Sequence, residues 1–235
     1  MKVIETKFYK INYSDSLDTI ALQTMKILDK KIIEYKDFFN IDKLEKIIVN
    51  YFDNIDEFRN FIYNIRGERD SLPRYAQGTY DNGMVNAYIN PNAKLAKAYT
   101  ASHELFHILY MKYILKDNYD KRIVWYDEGM AQFMSGENDY LNNIFKEYYL
   151  KVKEVTKVIP DINALTHGNS FCNDNYNGYD LSYLCIKYLS QILDKESFKN
   201  LMSDFTKIKL LGTTIIRDMF NYFDEYINTI INSKK

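Results

Sequence analysis

Ala101-Ser102-His103-Glu104-Leu105-Phe106-His107-Ile108-Leu109 is the stretch on which the reading of this chain turns. On a helix, residues i and i+4 differ by about 40° in azimuth and stand one turn apart, so both imidazoles leave the same face. Two ring nitrogens so placed can meet one metal ion at about 2.0–2.1 Å. Glu104 leaves at a different angle and flanks that point, where it can take a proton from a water held by the metal. Two of the chain's three histidines fall here. Random placement at this composition gives H-E-x-x-H in roughly two chains per thousand, so chance is a poor explanation. Ala101, Leu105, Phe106, Ile108 and Leu109 make the segment apolar and predict a buried helix. Buried polar groups need partners, and a metal is one. The plain alternative is a pair of solvated or core histidines with no ligand.

Outward from that helix, alternation and turn residues divide the chain. Residues 2–13 read as one strand, 16–40 as a long helix with Leu17, Ile20, Ala21, Thr24, Ile27, Leu28 and Ile32 on one face, and 47–52 as a strand. Asp53 or Asn54 can cap a helix over 55–66, which Gly67 ends. A loop over 67–76 follows. Asp81-Asn82-Gly83 then signals a hairpin between strands at 78–80 and 84–89. Helical spacing runs over 93–115, again from about Tyr126, and over 138–157. After a polar loop at 160–175, helices are expected at 176–192, 194–207 and 213–232. The expected class is α+β. A small mixed sheet with helices fills an N-terminal lobe, 1–120, which carries the motif helix. An all-helical lobe, 121–235, follows, with the motif helix between the two.

Composition excludes several functions. The 235 residues carry 31 Lys+Arg against 32 Asp+Glu, a net charge of −1, so no field of one sign points to nucleic acid or an anionic membrane. The 22 tyrosines have no accompanying basic stripe and read as amphipathic filler rather than a platform for bases. Eight Gly and three Pro are too few for a many-turned β architecture. Cys172 and Cys185 form no C-x-x-C, which fits free thiols in a reducing compartment. No apolar core of a secretory signal follows Met1, and no run reaches the roughly 18 apolar residues of a membrane span. A cytoplasmic location is therefore expected.

A catalytic zinc takes three protein ligands and keeps one position for water. Trp125-Tyr126-Asp127-Glu128-Gly129-Met130-Ala131 follows the first motif. H-E-x-x-H followed by W-x-x-E-G-x-A resembles the gluzincin metallopeptidases, the thermolysin and M1-aminopeptidase-like clan, in which a Glu on a second helix completes a His-His-Glu site. The resemblance covers about 78–190. It implies a Zn²⁺ cofactor held by His103, His107 and Glu128, with Glu104 as catalytic base and a peptide or protein as substrate. Glu128 lies 21 positions after His107, a little beyond the usual spacing. Asp127 stands beside it as a rival acid. Gly129 and Ala131 are expected to let this helix approach the first. A metzincin is excluded, because Ile108-Leu109-Tyr110-Met111-Lys112-Tyr113 supplies neither the Gly nor the third His of that pattern.

An oxyanion needs a donor besides the metal. Tyr179-Asp180-Leu181-Ser182-Tyr183, continuing to Tyr188-Leu189, resembles the segment that supplies a Tyr in M1-like enzymes, which makes Tyr179 the candidate. Tyr176, Tyr183 and His167 are the rivals. The strand at 84–89 is expected to be the sheet edge on which an extended substrate pairs. Gly83-Met84-Val85-Asn86-Ala87 lacks the acid that holds the substrate amine in M1 enzymes, which favours an endopeptidase. Gln132 is a candidate for orienting the ligands. His-His-Glu ligation suits zinc without excluding manganese or cobalt. The same residues admit a non-catalytic zinc-stabilised binding module, or a regulatory protease dedicated to one protein substrate.

Overall fold

The computed structural model describes residues 1–67, 77–81, 83–92, 95–138, 145–166 and 170–232. It is mixed α and β, with a five-stranded sheet in the N-terminal part and a helical C-terminal part. The chain divides into two compact units, Met1–Tyr113 and Ile114–Lys235. Among the described residues no helix is long and apolar enough to cross a membrane.

In the first unit the sheet order is β1 (Lys2–Glu5), β2 (Tyr9–Tyr13), β3 (Ile47–Phe52), β5 (Met84–Tyr88), β4 (Gly78–Asp81). The β2, β3 and β5 strands run parallel, while β1 and β4 are antiparallel to their neighbours. The single strand expected over 2–13 is two strands. Thr6 turns the chain, its Oγ1 accepting from the backbone N–H of Phe8 and Tyr9 and its own N–H reaching the Tyr9 carbonyl. A short polar side chain that satisfies backbone donors competes with a continuous ladder. The edge expectation is also corrected. β5 lies between β3 and β4, and among the described residues β4 is the edge. The hairpin residue Asn82 and the loop over 68–76 lie outside the described residues.

Helix α1 (Asp18–Phe39) buries Ile20, Ala21, Thr24, Ile27, Leu28, Ile32, Tyr35 and Phe39, the face its spacing predicts. Asn40 ends it in the left-handed region. Helix α2 (Ile55–Arg66) is capped by Asn54, whose side chain accepts from the N–H of Asp56 and Glu57, and Gly67 closes it at φ 74°. Such a cap stabilises by about 1 kcal/mol over Ala. Beneath α2, Asn12, Asn50 and Asn86 line up across three strands, linked by two 2.8 Å hydrogen bonds.

The helix expected over 93–115 is composite. A 3₁₀ turn, Leu95–Tyr99, feeds α3 (Thr100–Leu109), and α3 widens into a π-helical turn, Tyr110–Leu115. Residues 93 and 94 lie outside the described residues. Two long-range bonds hold this run against α1: Thr24 Oγ1 donates to the Ala98 carbonyl (3.2 Å), and Tyr35 Oη to the Ser102 carbonyl (3.0 Å). The motif helix therefore starts from a fixed point.

The second unit centres on α4 (Val124–Ser135) packed against α6 (Gly178–Ile192). Trp125, Tyr126, Met130, Leu181, Leu184 and Cys185 are fully buried there. Gly129 makes the contact possible, since a Cβ would stand 2.5 Å from the Ser182 carbonyl oxygen and 2.7 Å from Ile186 Cγ1. The small residue thus serves the packing of α4 on α6. Helix α5 (Phe145–Val155) covers the later part of the helix expected over 138–157, and 139–144 lie outside the described residues. The polar loop contains a 3₁₀ turn, Ile162–Ala164, and β6 (Cys172–Asn173), which pairs with β7 (Tyr176–Asn177) at the start of the helix expected over 176–192, so this unit is helical but not purely so. The helix expected over 194–207 is two, α7 (Lys195–Leu201) and α8 (Phe205–Gly212). The break falls where the Asp204 side chain accepts from the Lys207 N–H and starts a new helix. Helix α9 (Ile215–Asn232) completes the unit.

Candidate metal centre

Helix α3 turns Leu105, Phe106 and Leu109 inward and leaves His103, Glu104 and His107 half-buried. Phe106 sets the rotation. It stacks on Tyr110 at 5.9 Å and meets Tyr35 and Phe39 from α1 at 6.0 and 5.4 Å. The adjoining face brings the Nε2 atoms of His103 and His107 to 3.1 Å, with the His107 ring 6.5 Å from that of Phe106. Two nitrogens bound at about 2.0–2.1 Å to one tetrahedral ion stand roughly 3.3 Å apart, so the pair is already near chelating distance. The Glu104 carboxylate lies against the backbone of the edge strand. A Cβ on Gly78 would stand 2.7 Å from Glu104 Oε1 and 3.3 Å from Thr100 Cγ2.

On α4, Asp127 is fully buried and Glu128 is 5% exposed. Arg122, just before the helix, binds both: its Nε donates to Asp127 Oδ2, and its Nη2 donates to Glu128 Oε1 at 3.0 Å. Two carboxylates at such burial need a counter-charge, and this guanidinium supplies it. The sequence left Asp127 and Glu128 as rivals. The ligand atoms of His103, His107 and Glu128 lie within 4.8 Å of one another, and Asp127 is not in that group. The His-His-Glu group could hold a metal ion. Two imidazoles and a carboxylate suit zinc and several other first-row divalent ions alike.

The three tyrosine candidates differ in their surroundings. Tyr176 Oη donates to the Ser170 carbonyl (2.9 Å), which employs its hydroxyl locally. Tyr183 is 2% exposed and packs edge-on to Tyr148, with its Oη accepting from Lys187. Tyr179 is half-buried in the first turn of α6, edge-on to Phe171 at 4.7 Å. Asn177 caps that turn by accepting from the N–H of Tyr179 and Asp180. Gln132, 4% exposed, reaches from α4 to donate to the Tyr179 carbonyl (3.1 Å), and its own carbonyl accepts from Asn138 (2.8 Å). It thus ties the helix of Glu128 to the helix of Tyr179, one turn after Glu128. His167 lies outside the described residues.

Burial raises the Asp180 carboxyl above the ordinary range, and the hydrogen bond from Tyr148 opposes that in part. The Cys172 thiol is raised chiefly by burial, with Asp180 and Glu128 adding to it. Backbone N–H groups of Gly178 and Tyr179 oppose that rise.

Sequence reasoning passed over two residues. Arg122 left a faint signal, the second of two adjacent cations (Lys121-Arg122), five and six positions ahead of adjacent acids. Gly78 left none, since only the folded chain sets it against Glu104. No family model matches this chain, and no curated protein matches it.

Proposed function

We propose that this protein is a zinc-dependent peptidase, acting as an endopeptidase. The observation that carries the reading is the gathering of His103, His107 and Glu128 around one point, with Glu104 on the same helix. The resemblance of H-E-x-x-H and W-x-x-E-G-x-A to gluzincins supports it. A bound zinc ion would supply Lewis acidity, polarising a carbonyl and bringing a water's pKa toward about 7. His103, His107 and Glu128 would hold it, and Arg122 orients the Glu128 carboxylate. Glu104 takes the proton of the attacking water and passes it to the leaving amine. Tyr179 donates to the oxygen on which charge develops.

The edge strand β4 offers backbone groups to an extended chain. Its acid, Asp81, is bound by Arg66 through both carboxylate oxygens, Nε to Oδ1 at 2.6 Å and Nη2 to Oδ2 at 3.1 Å. An acid so engaged is not available to hold a substrate's free amine. The endopeptidase preference rests on the lack of an acid in 83–87, and this pair supports it. The two free cysteines fit a reducing, cytoplasmic setting.

The test is mass-spectrometric readout of a diverse peptide library after incubation with zinc-loaded protein, with Glu104→Ala alongside. Internal cuts made by the wild type alone are expected. Equal cleavage by Glu104→Ala would overturn the mechanism. Bound zinc without cleavage of any peptide would turn the reading to a metal-stabilised binding module or a protease dedicated to one protein.

A further inference from the structure

The glycine at the start of β4 is expensive for a strand, since it lacks a side chain to pack and loses the most conformational freedom on folding. Its φ is not in the left-handed region, so the backbone itself does not require it. What requires it is the neighbour. A Cβ at Gly78 would stand 2.7 Å from Glu104 Oε1, 3.5 Å from Glu104 Cδ and 3.3 Å from Thr100 Cγ2. The first distance is well inside van der Waals contact, and the atom that must yield is the end of a flexible side chain. The backbone can stay where it is, while the carboxylate moves.

We propose that Gly78 is a positioning residue for Glu104: the missing side chain is the space in which the Glu104 carboxylate rests against the edge strand. This rests on the reading of Glu104 as the base. The two halves of the arrangement come from far apart in sequence. Gly78 is placed by the ladder of β4 on β5, where it pairs with Ala87. Glu104 is placed by α3, whose first turn is fixed through Tyr35 and Ser102. A base must meet its proton within hydrogen-bond reach, and a displacement near 1 Å can cost about 100-fold in rate. Gly78 does not touch substrate or metal in this role. It acts through where it allows Glu104 to be.

The experiment compares wild type, Gly78→Ala, Gly78→Ala/Thr100→Ala and Glu104→Asp with and without Gly78→Ala. The readouts are peptide hydrolysis, zinc affinity by chelator competition, and crystal structures of the zinc-loaded proteins. Gly78→Ala is expected to lower kcat by about 10- to 100-fold, to leave KM and zinc affinity within about twofold, and to show the Glu104 carboxylate displaced. Removing the Thr100 methyl relieves the other close contact, so the double variant keeps the fold if packing alone is at fault, and it is expected to stay slow. In the Glu104→Asp background the shorter carboxylate no longer reaches Gly78, and Gly78→Ala is expected to cost little more. Unchanged kcat, an unmoved Glu104 carboxylate, or full recovery on Thr100→Ala would overturn the proposal. If the wild type cleaves no peptide, the general endopeptidase reading fails, and the crystal structures still decide whether Gly78 sets the carboxylate's position.

Discussion

Nε2 of His103 and Nε2 of His107 stand 3.1 Å apart across one turn of α3. Without a metal, one ring can donate to the other at that distance; a divalent ion shared between them would instead take both lone pairs. Replacing either histidine by Ala is expected to weaken zinc binding by more than about 100-fold, beyond the 10- to 100-fold typical of residues that only orient a ligand. Zinc at 100 times its Kd should stabilise the wild type by about 2.7 kcal/mol and neither variant. Chelator competition and thermal unfolding with and without zinc are the checks. Full zinc occupancy in His107→Ala would sink the ligand assignment.

Asp127 and Glu128 share Arg122 and should part company on substitution. Glu128→Ala is expected to lose zinc affinity. Asp127→Asn is expected to keep zinc within about tenfold and to lose stability, because it removes a fully buried charge that faces the half-buried Arg122 guanidinium. Arg122 keeps Glu128 as a partner, so the cost is expected to stay below the roughly 3–5 kcal/mol of breaking a fully buried pair. Urea unfolding of both variants, beside their zinc affinities, separates the roles. A zinc loss in Asp127→Asn matching that in Glu128→Ala would make the two acids equivalent.

Gln132 holds the Tyr179 carbonyl and the Asn138 side chain from a nearly closed site. Gln132→Leu removes both bonds and should destabilise by about 1–3 kcal/mol. It should lower kcat while zinc affinity stays put, since the ligands themselves are untouched. Tyr179→Phe is expected to lower kcat by about 100-fold, the usual cost of one oxyanion donor. A wild-type kcat in Tyr179→Phe would remove Tyr179 from the mechanism.

Gly129→Ala places a methyl against the Ser182 carbonyl and Ile186. A backbone neighbour cannot swing away, so the helices α4 and α6 must separate, at an expected cost of about 1–3 kcal/mol. Thermal unfolding measures it. Because α4 carries Glu128, zinc affinity should fall along with stability.

Asp53 ties the end of β3 to the turn between β2 and α1 by accepting from Ser14 and Ser16, and those bonds hold its carboxyl below the usual value. A carboxyl lowered on folding stabilises above its unfolded pKa of about 3.9, and the contribution disappears as pH falls through the lower folded value. Asp53→Asn should therefore be less stable than wild type at pH 7 and equal to it at the acid end. The site is exposed, so the gap is expected to be small. Unfolding curves across pH read it directly, and a gap that widens toward acid would contradict the assignment.

The sequence by itself determined the local elements and the spacing of the candidate ligands. Helix α1 shows its buried face as a 3–4 repeat, Asn54 and Gly67 bracket α2, and His103 and His107 need only a helix to meet. These are facts of short range, carried by dihedral preference and by 3.6 residues per turn. Strand order was not legible in that way. Alternation says which face of 84–88 is buried, but not that β4 pairs outside it and takes the edge. Nor did local pattern foretell the turn at Thr6, the π-helical turn after α3, or the break at Asp204, where side-chain bonds and tertiary contacts override periodicity. Adjacent acids on a helix point about 100° apart, so the sequence does not say which of Asp127 and Glu128 joins the histidines; the group that could hold a metal contains Glu128. The tertiary structure alone set Gly78 against Glu104. Residues that act by being near, 26 positions apart and on different elements, leave no trace in a sequence until the chain has closed the distance.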